Sequence, residues 1–415
     1  MKPRWFNSIV PFKIISAVAS TLIVLLTISL GGTSREVSLV VSILTAGSLA
    51  GSIFFGSFVF KTEKKVNFFL LGFFGLVISS FLLFFAGDII LVLLGSFLFS
   101  FLTTATFFAA LALISEKYKD INKMIGKFEE IGGWAWVCGL IFGFFITSLL
   151  GLKEIFLLLT IFSVVSFIYA TWLLRERILY KLAQGILADF GLLTLVERGV
   201  EFVMKKQEFM VEKALMGLHS IVKGSFVPSF QIVQASLPKK NILLHLTFLL
   251  IFLSFGLVYS QTITLMKEKG LTDNLIFGFS VLASTMSALF YSRAGKVEDS
   301  NSMLKRNFCL RILMFLLLSF SVFLSGLPFM ILLAIFFLLD GYSWSYIVIL
   351  SNSLILRKSK TEMGINNFFR SLGYIIGSFF SGILIFHLGF SINFIVASIF
   401  LLTSILIFLK LKIEA

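Results

Sequence analysis

The sequence predicts an all-α integral membrane protein with twelve transmembrane helices in two six-helix bundles, and three observations predict it. Apolar runs long enough to cross a bilayer follow one another from end to end, interrupted by one long polar stretch between Arg175 and Lys240. Hydrophobic residues make up 58% of the 415 residues and charged residues 13%, too apolar a balance for a water-soluble core. Lys and Arg, finally, gather in alternate gaps between the runs. A span needs about 20 mostly apolar residues, because hydrocarbon offers no water to free backbone groups. The implied division is an N-terminal bundle over 1–174, a linker over 175–240 and a C-terminal bundle over 241–415.

Taken in order, Lys2, Arg4 and Lys13 precede the first span. That run, near Ile9 to Leu30, is too long for the apolar core of a signal peptide and is expected to stay as a span. Thr33 to Glu36 is a short gap, and Lys61, Lys64 and Lys65 follow span two. Gly87-Asp88 ends span three, Lys117, Lys119, Lys123 and Lys127 surround the start of span five, and Lys153-Glu154 precedes span six. Beyond the linker, Lys267 and Lys269 stand beside Glu268 and Asp273 after span seven. Arg293, Lys296, Lys305, Arg306 and Arg311 are assigned to the gap between spans eight and nine. Ser325 to Pro328 and His387 to Phe390 are short gaps, whereas Arg357, Lys358 and Lys360 precede span eleven and Lys410 and Lys412 follow span twelve. The positive-inside rule then puts both termini and the linker in the cytoplasm of a cell exposing this protein in its plasma membrane. The net charge of +14 is thereby topological, and no nucleic-acid partner is expected.

The linker carries two stripes at helical spacing, Ile178, Leu182, Ile186, Phe190 and Leu193, then Val196, Val200, Val203, Met210, Ala214, Leu218 and Ile221. They predict amphipathic helices on the inner membrane face or against the bundle. Cys138 and Cys309 fall in or beside different spans and read as small apolar residues rather than a disulfide or metal pair. His219, His245 and His387 are scattered, the last two expected at the interface, so neither a metal nor another cofactor is predicted. No Gly-x-x-x-x-Gly-Lys-Ser/Thr loop occurs, which leaves direct ATP hydrolysis unsupported.

The two halves repeat. Small residues four apart recur in every third span: Gly47 and Gly51, Gly139 and Gly143, Ser280, Ser284 and Ala288, Gly373 and Gly377. Such faces let helix backbones approach closely in lipid. Span two ends in Gly56 with Lys61, Lys64 and Lys65 behind it, and span eight ends in Ala288 and Ser292 followed by Arg293-Ala294-Gly295-Lys296. With six plus six spans and a long central linker, the chain resembles the major facilitator superfamily over its whole length. That family's loop after span two reads Gly-x-x-x-Asp-Arg-x-Gly-Arg-Arg/Lys. Here Phe60 replaces the Asp and Glu63 the Gly, whereas the second copy keeps its Arg-x-Gly-basic core. The resemblance implies helices two, five, eight and eleven in close contact, a loop that latches the halves, and no enzymatic activity.

A duplicated bundle with a site between its repeats is the architecture of a secondary transporter working by alternating access. Asp340, halfway along span ten, is a costly group in hydrocarbon. Three readings stand: substrate binding or proton exchange, pairing with a basic residue, or capping a break at Gly341. Tyr259 and Gln261 in span seven, Trp134 in span five and Trp344 beside Asp340 are the other candidate substrate or ion-coupling residues. Glu129 and Glu130 enter span five at the depth at which Arg370 enters span eleven, which suggests a cytoplasmic gate. The 52 Phe residues and the scarcity of intramembrane charge favour a small lipophilic or weakly polar solute, with efflux favoured and protons as the coupling ion. The remaining alternatives are a receptor-like or degenerate paralogue of the same fold and a membrane-embedded lipid-handling enzyme. A monomer is expected.

Overall fold

The computed structural model describes residues 4–60, 62–118, 121–185, 242–297, 299–358 and 360–410. A 3-10 turn (Arg4–Ser8) leads into α1 (Ile9–Ser29), α2 (Ser34–Phe58), α3 (Lys65–Phe84), α4 (Ile89–Lys117), α5 (Ile121–Ile146) and α6 (Leu152–Gly185). The second half holds α7 (Ile242–Glu268), α8 (Asp273–Ala294), α9 (Ser300–Ser321) and α10 (Gly326–Lys358). A final helical stretch, Lys360–Lys410, is broken at Gly389, whose φ of 81° lies in the left-handed region that favours glycine. We treat its parts as α11 (360–388) and α12 (390–410). Lys61 and the linker from Ile186 to Lys240 lie outside the described residues, so the second linker stripe has no structural counterpart here. Ile178 and Leu182, from the first stripe, belong to the continuation of α6 past the expected bundle boundary.

Among the described residues, ten helical stretches are long and apolar enough to cross a membrane. The last of these spans 46 residues, about 69 Å at 1.5 Å per residue and so two bilayer thicknesses. The helix outside that set is α9, which carries Lys305, Arg306 and Arg311 yet has 22 residues, about 33 Å. Counting α9 and both parts of the last stretch gives the twelve spans of the sequence pattern. Short gaps are closed by side-chain caps. Thr33 and Glu36 form a capping box on α2, Asp88 accepts from the Leu91 amide at 2.8 Å, and Asp299 accepts from the Ser302 amide at 3.0 Å.

The small-residue stripes act mostly within each half. Gly47 and Gly51 bring α2 onto α4, where an added Cβ at Gly51 would lie 2.7 Å from the Phe101 carbonyl oxygen. Gly139 brings α5 onto α1, at 2.5 Å from the Ile14 carbonyl oxygen. Gly373 and Gly377 do the same for α11 on α7, against the carbonyls of Leu249 and Leu253. The α5–α1 and α11–α7 contacts are equivalent under the six-helix repeat. So are α2–α4 and α8–α10, except that the glycine of the latter, Gly341, sits on α10 against the Ala283 carbonyl. The packing scheme is therefore repeated, with its small residue moved to the partner helix in one case.

Between the halves, α2 packs on α11 and α5 on α8. Gly382 meets Ser34 and Ser38, and Gly143 meets Phe277. These contacts lie at the end where α1 meets α2, here called the distal end, opposite the start of α1. At the other end, among the described residues, α4 and α5 make no extensive contact with α10 or α11. The halves thus close on the distal side and stand apart towards the chain's first residues.

Gly377→Ala is expected to lower the melting temperature, because its methyl group would force α11 off α7 at an overpacking cost of about 1–3 kcal/mol. Gly133→Ala, whose added Cβ would meet nothing within 4 Å, should leave melting unchanged or raise it. Thermal unfolding of the two purified variants checks this.

Candidate functional site

The polar groups of the C-terminal half gather on facing stripes. Phe248, Phe252, Phe255 and Tyr259 recur at i, i+4, i+7 and i+11 on one face of α7. Asp340 and Trp344 lie one turn apart on α10, and Ser351 and Asn352 follow two turns further. Arg311 stands about three turns into α9, fully buried, and its guanidinium pairs with the Asp340 carboxylate. Its Nε donates to Ser343 Oγ, and Nη2 donates to the Asp340 carbonyl oxygen at 3.0 Å. The Tyr259 hydroxyl donates to the same carboxylate oxygen that Nη1 engages. Three rings wrap the cation, with centroids at 5.0 Å (Phe255), 5.6 Å (Tyr259) and 5.9 Å (Trp344) from Arg311 Cζ. The carboxylate, the Ser343 hydroxyl and the ring faces each favour the charged form of this buried guanidinium.

This corrects the assignment of Arg311 to the loop between spans eight and nine. The residue belongs to the membrane interior, and its surroundings in sequence, Phe308-Cys309-Leu310-Arg311-Ile312-Leu313-Met314, carried that signal. Of the readings considered for Asp340, pairing with a basic residue is the one the geometry realises, and Gly341 continues the helix. Its missing Cβ serves the approach to α8, and Ser287 Oγ donates to its carbonyl at 3.0 Å.

A second guanidinium, Arg370 on α11, is 7% exposed. Nη1 donates to Asn352 Oδ1 at 2.7 Å and Nη2 to Ser351 Oγ at 2.6 Å. With its amide oxygen turned inward, Asn366 accepts from Nε at 2.7 Å and Nη2 at 3.1 Å. Glu129 and Glu130 are exposed on α5, and no ion pair joins them to Arg370 in this arrangement. Trp134 is exposed, and Trp344 packs on Phe252 and Phe255.

Gln261 belongs to the seam between the halves rather than to the charged cluster. Its Nε2 donates to the Ser34 carbonyl at 2.9 Å and to Ser38 Oγ at 2.5 Å. Ser42 and Ser378 face each other at 2.8 Å between hydroxyl oxygens. The Arg35 guanidinium lies 3.5 Å over the Phe386 ring, with Nη2 3.4 Å from His387 Nε2. Every hydrogen bond between the halves among the described residues belongs to this distal clasp, in which uncharged groups predominate. His245, in the first turn of α7, is buried and stacks on Phe369 at 5.6 Å.

In the loop motif, Gly56 packs beside Phe108, and Lys65 is buried and paired with Glu116 at the end of α4. Lys64 precedes α3 as its N-cap. In the second copy, Gly295 caps α8, Lys296 turns away from it, and Arg293 lies 4.9 Å over Phe290. Lys61 is outside the described residues.

A family model described as Major Facilitator Superfamily matches residues 9–363. The chain belongs to the major facilitator superfamily. As a member of it the protein is a multi-pass membrane transporter and not an enzyme. Solved structures share the superfamily fold. A crystal structure of the nucleoside transporter NupG superposes with a TM-score of 0.66 at 13% identity, covering 99% of this chain and 100% of that one. A point mutant of NupG gives 0.67 at 12%, covering 98% of each chain. An auto-inhibited POT family peptide transporter gives 0.67 at 12%, over 98% of this chain and 96% of that one. No curated protein matches in sequence.

Removing one member of the buried pair strands the other. Arg311→Gln or Asp340→Asn alone should cost about 3–5 kcal/mol, whereas Arg311→Met combined with Asp340→Leu should recover most of that loss. Denaturation midpoints of the single and double variants in one detergent measure the coupling.

Proposed function

We propose that this chain is a secondary active transporter that moves a small lipophilic or weakly polar solute by alternating access, coupled to protons through Asp340. Export is the favoured direction, across a plasma membrane with both termini in the cytoplasm. One observation carries the reading: a charge pair buried at mid-span in the C-terminal half, in a molecule clasped at one end and parted at the other. Protonating a carboxylate that neutralises Arg311 would release the guanidinium, Tyr259 and Ser343 together. That makes the pair a switch which a proton can throw.

In the proposed orientation the distal clasp is the outer gate, closed here, and the parted end faces the cytoplasm. Hydrogen bonds between hydroxyls, an amide and a carbonyl suit a gate that must open repeatedly, since each contributes only about 1 kcal/mol. Glu129 and Glu130 would meet Arg370 when the opposite side closes, forming the inner gate. The transporters of similar fold are named for nucleosides and peptides. Their likeness supports transport and leaves the solute open.

With Cys138 and Cys309 replaced, Ser42→Cys and Ser378→Cys should form a cross-link under mild oxidant. Flux in sealed vesicles should stop on oxidation and return on reduction; full cross-linking with undiminished flux would refute alternating access across this seam. Asp340→Asn should abolish the response to a proton gradient while substrate exchange at equal pH survives. Unchanged rate and pH dependence in that variant would remove Asp340 as the coupling acid.

A further inference from the structure

Two guanidiniums are buried in the C-terminal half, and the chain treats them differently. Arg311 has a carboxylate, Asp340, in direct contact. Arg370, 7% exposed, has none: among the described residues its polar partners are Ser351, Asn352 and Asn366, all neutral. Phe248 and Phe252 complete the surroundings, with ring centroids 4.8 and 5.3 Å from Arg370 Cζ. A guanidinium keeps its proton, so the charge persists through the transport cycle. Hydroxyl and carboxamide oxygens orient it without cancelling it. The ring faces hold the cation in place, and the low dielectric raises its attraction for any anion that arrives. Four of its five N–H groups are committed to these oxygens, which holds the fork rigid and leaves one Nη1 hydrogen and the whole net charge for a ligand.

The location suits a ligand as well. Arg370 lies on α11 towards the parted end of the molecule, and its partners Ser351 and Asn352 lie on α10, the helix that carries Asp340. Phe252 is shared between the two guanidinium sites, through its contact with Arg370 and its packing on Trp344, which in turn lines Arg311. A solute held at Arg370 therefore touches the same aromatic stripe that encloses the charge pair.

We infer that Arg370, oriented by Ser351, Asn352 and Asn366, is the subsite for the negative group of an amphipathic organic anion whose apolar body lies along Phe248 and Phe252. The inference rests on the transporter reading but replaces its weakly polar solute with a charged, amphipathic one, and it is tested by binding alone, so failure of flux and failure of the anion site remain distinguishable. The full-length protein, in a non-ionic detergent with neutral lipid, is melted with cyclohexanecarboxylate or with its uncharged counterpart cyclohexanecarboxamide, at constant ionic strength. The carboxylate is expected to raise the melting temperature by about 2–4 °C and the carboxamide to leave it unchanged. Arg370→Gln should erase the shift. Asn352→Asp supplies the guanidinium with a carboxylate of its own, and should raise the ligand-free melting temperature while abolishing the response to the probe. Equal behaviour of the two probes in the unaltered protein overturns the inference, as does a carboxylate shift that survives in Asn352→Asp. A shift that appears only in Glu130→Gln would make Glu130 the natural counter-charge and overturn it too. Loss of the probe's effect on adding phosphatidylglycerol that itself stabilises through Arg370 would assign the site to a lipid headgroup instead.

Discussion

Inside hydrocarbon a polar group has no water to fall back on, and that constraint organises the molecule from backbone to charge pair. Helices satisfy their own amides, and serine and threonine hydroxyls return their protons to carbonyls one turn back, as Ser16, Thr27 and Ser96 do. What remains to be bonded between helices is then a short set of contacts, and those contacts fix the geometry. Thr106 on α4 reaches the Phe69 carbonyl of α3, and Ser254 on α7 reaches that of Ala397 on α12. Close backbone approach at glycine makes such reaches possible, so small residues and interhelical bonds work together.

The same constraint separates two uses of charge. Arg311 and Asp340 cancel one another and are locked by Tyr259 and Ser343, while the partners of Arg370 among the described residues are neutral. Lys65 with Glu116, by contrast, ties the start of α3 to the end of α4, with Glu116 half in solvent. That pair uses one of the loop motif's basic positions, while Phe60 occupies the position of the family's aspartate. A charge tie in this region is thus kept, with different partners.

The spans and the repeat were legible in the sequence because they are written in composition: span length and recurring glycines. Asp340 stood out for the same reason, a lone carboxylate in an apolar run. Arg311 did not, because Lys305 and Arg306 just before it drew it into the preceding loop. Gln261 and Gly341 illustrate a second limit. Sequence gives their depth and chemistry, but only three-dimensional packing shows that one faces Ser34 and Ser38 across the seam and the other the Ala283 backbone. Ser351, Asn352 and Asn366 around the Arg370 guanidinium come from helices whose rotation no periodicity fixed.

The break at Gly389 has a mechanical result. Ser381 before it and Asn393 after it both donate to the Leu257 carbonyl, at 2.8 and 2.7 Å. One oxygen on α7 therefore rivets both arms of the hairpin. With Ser254 adding a third fastening, the last two crossings and α7 are tied together by three side-chain bonds. In the proposed alternating access, a rocking of α7 and α11 would carry the final crossing along with them.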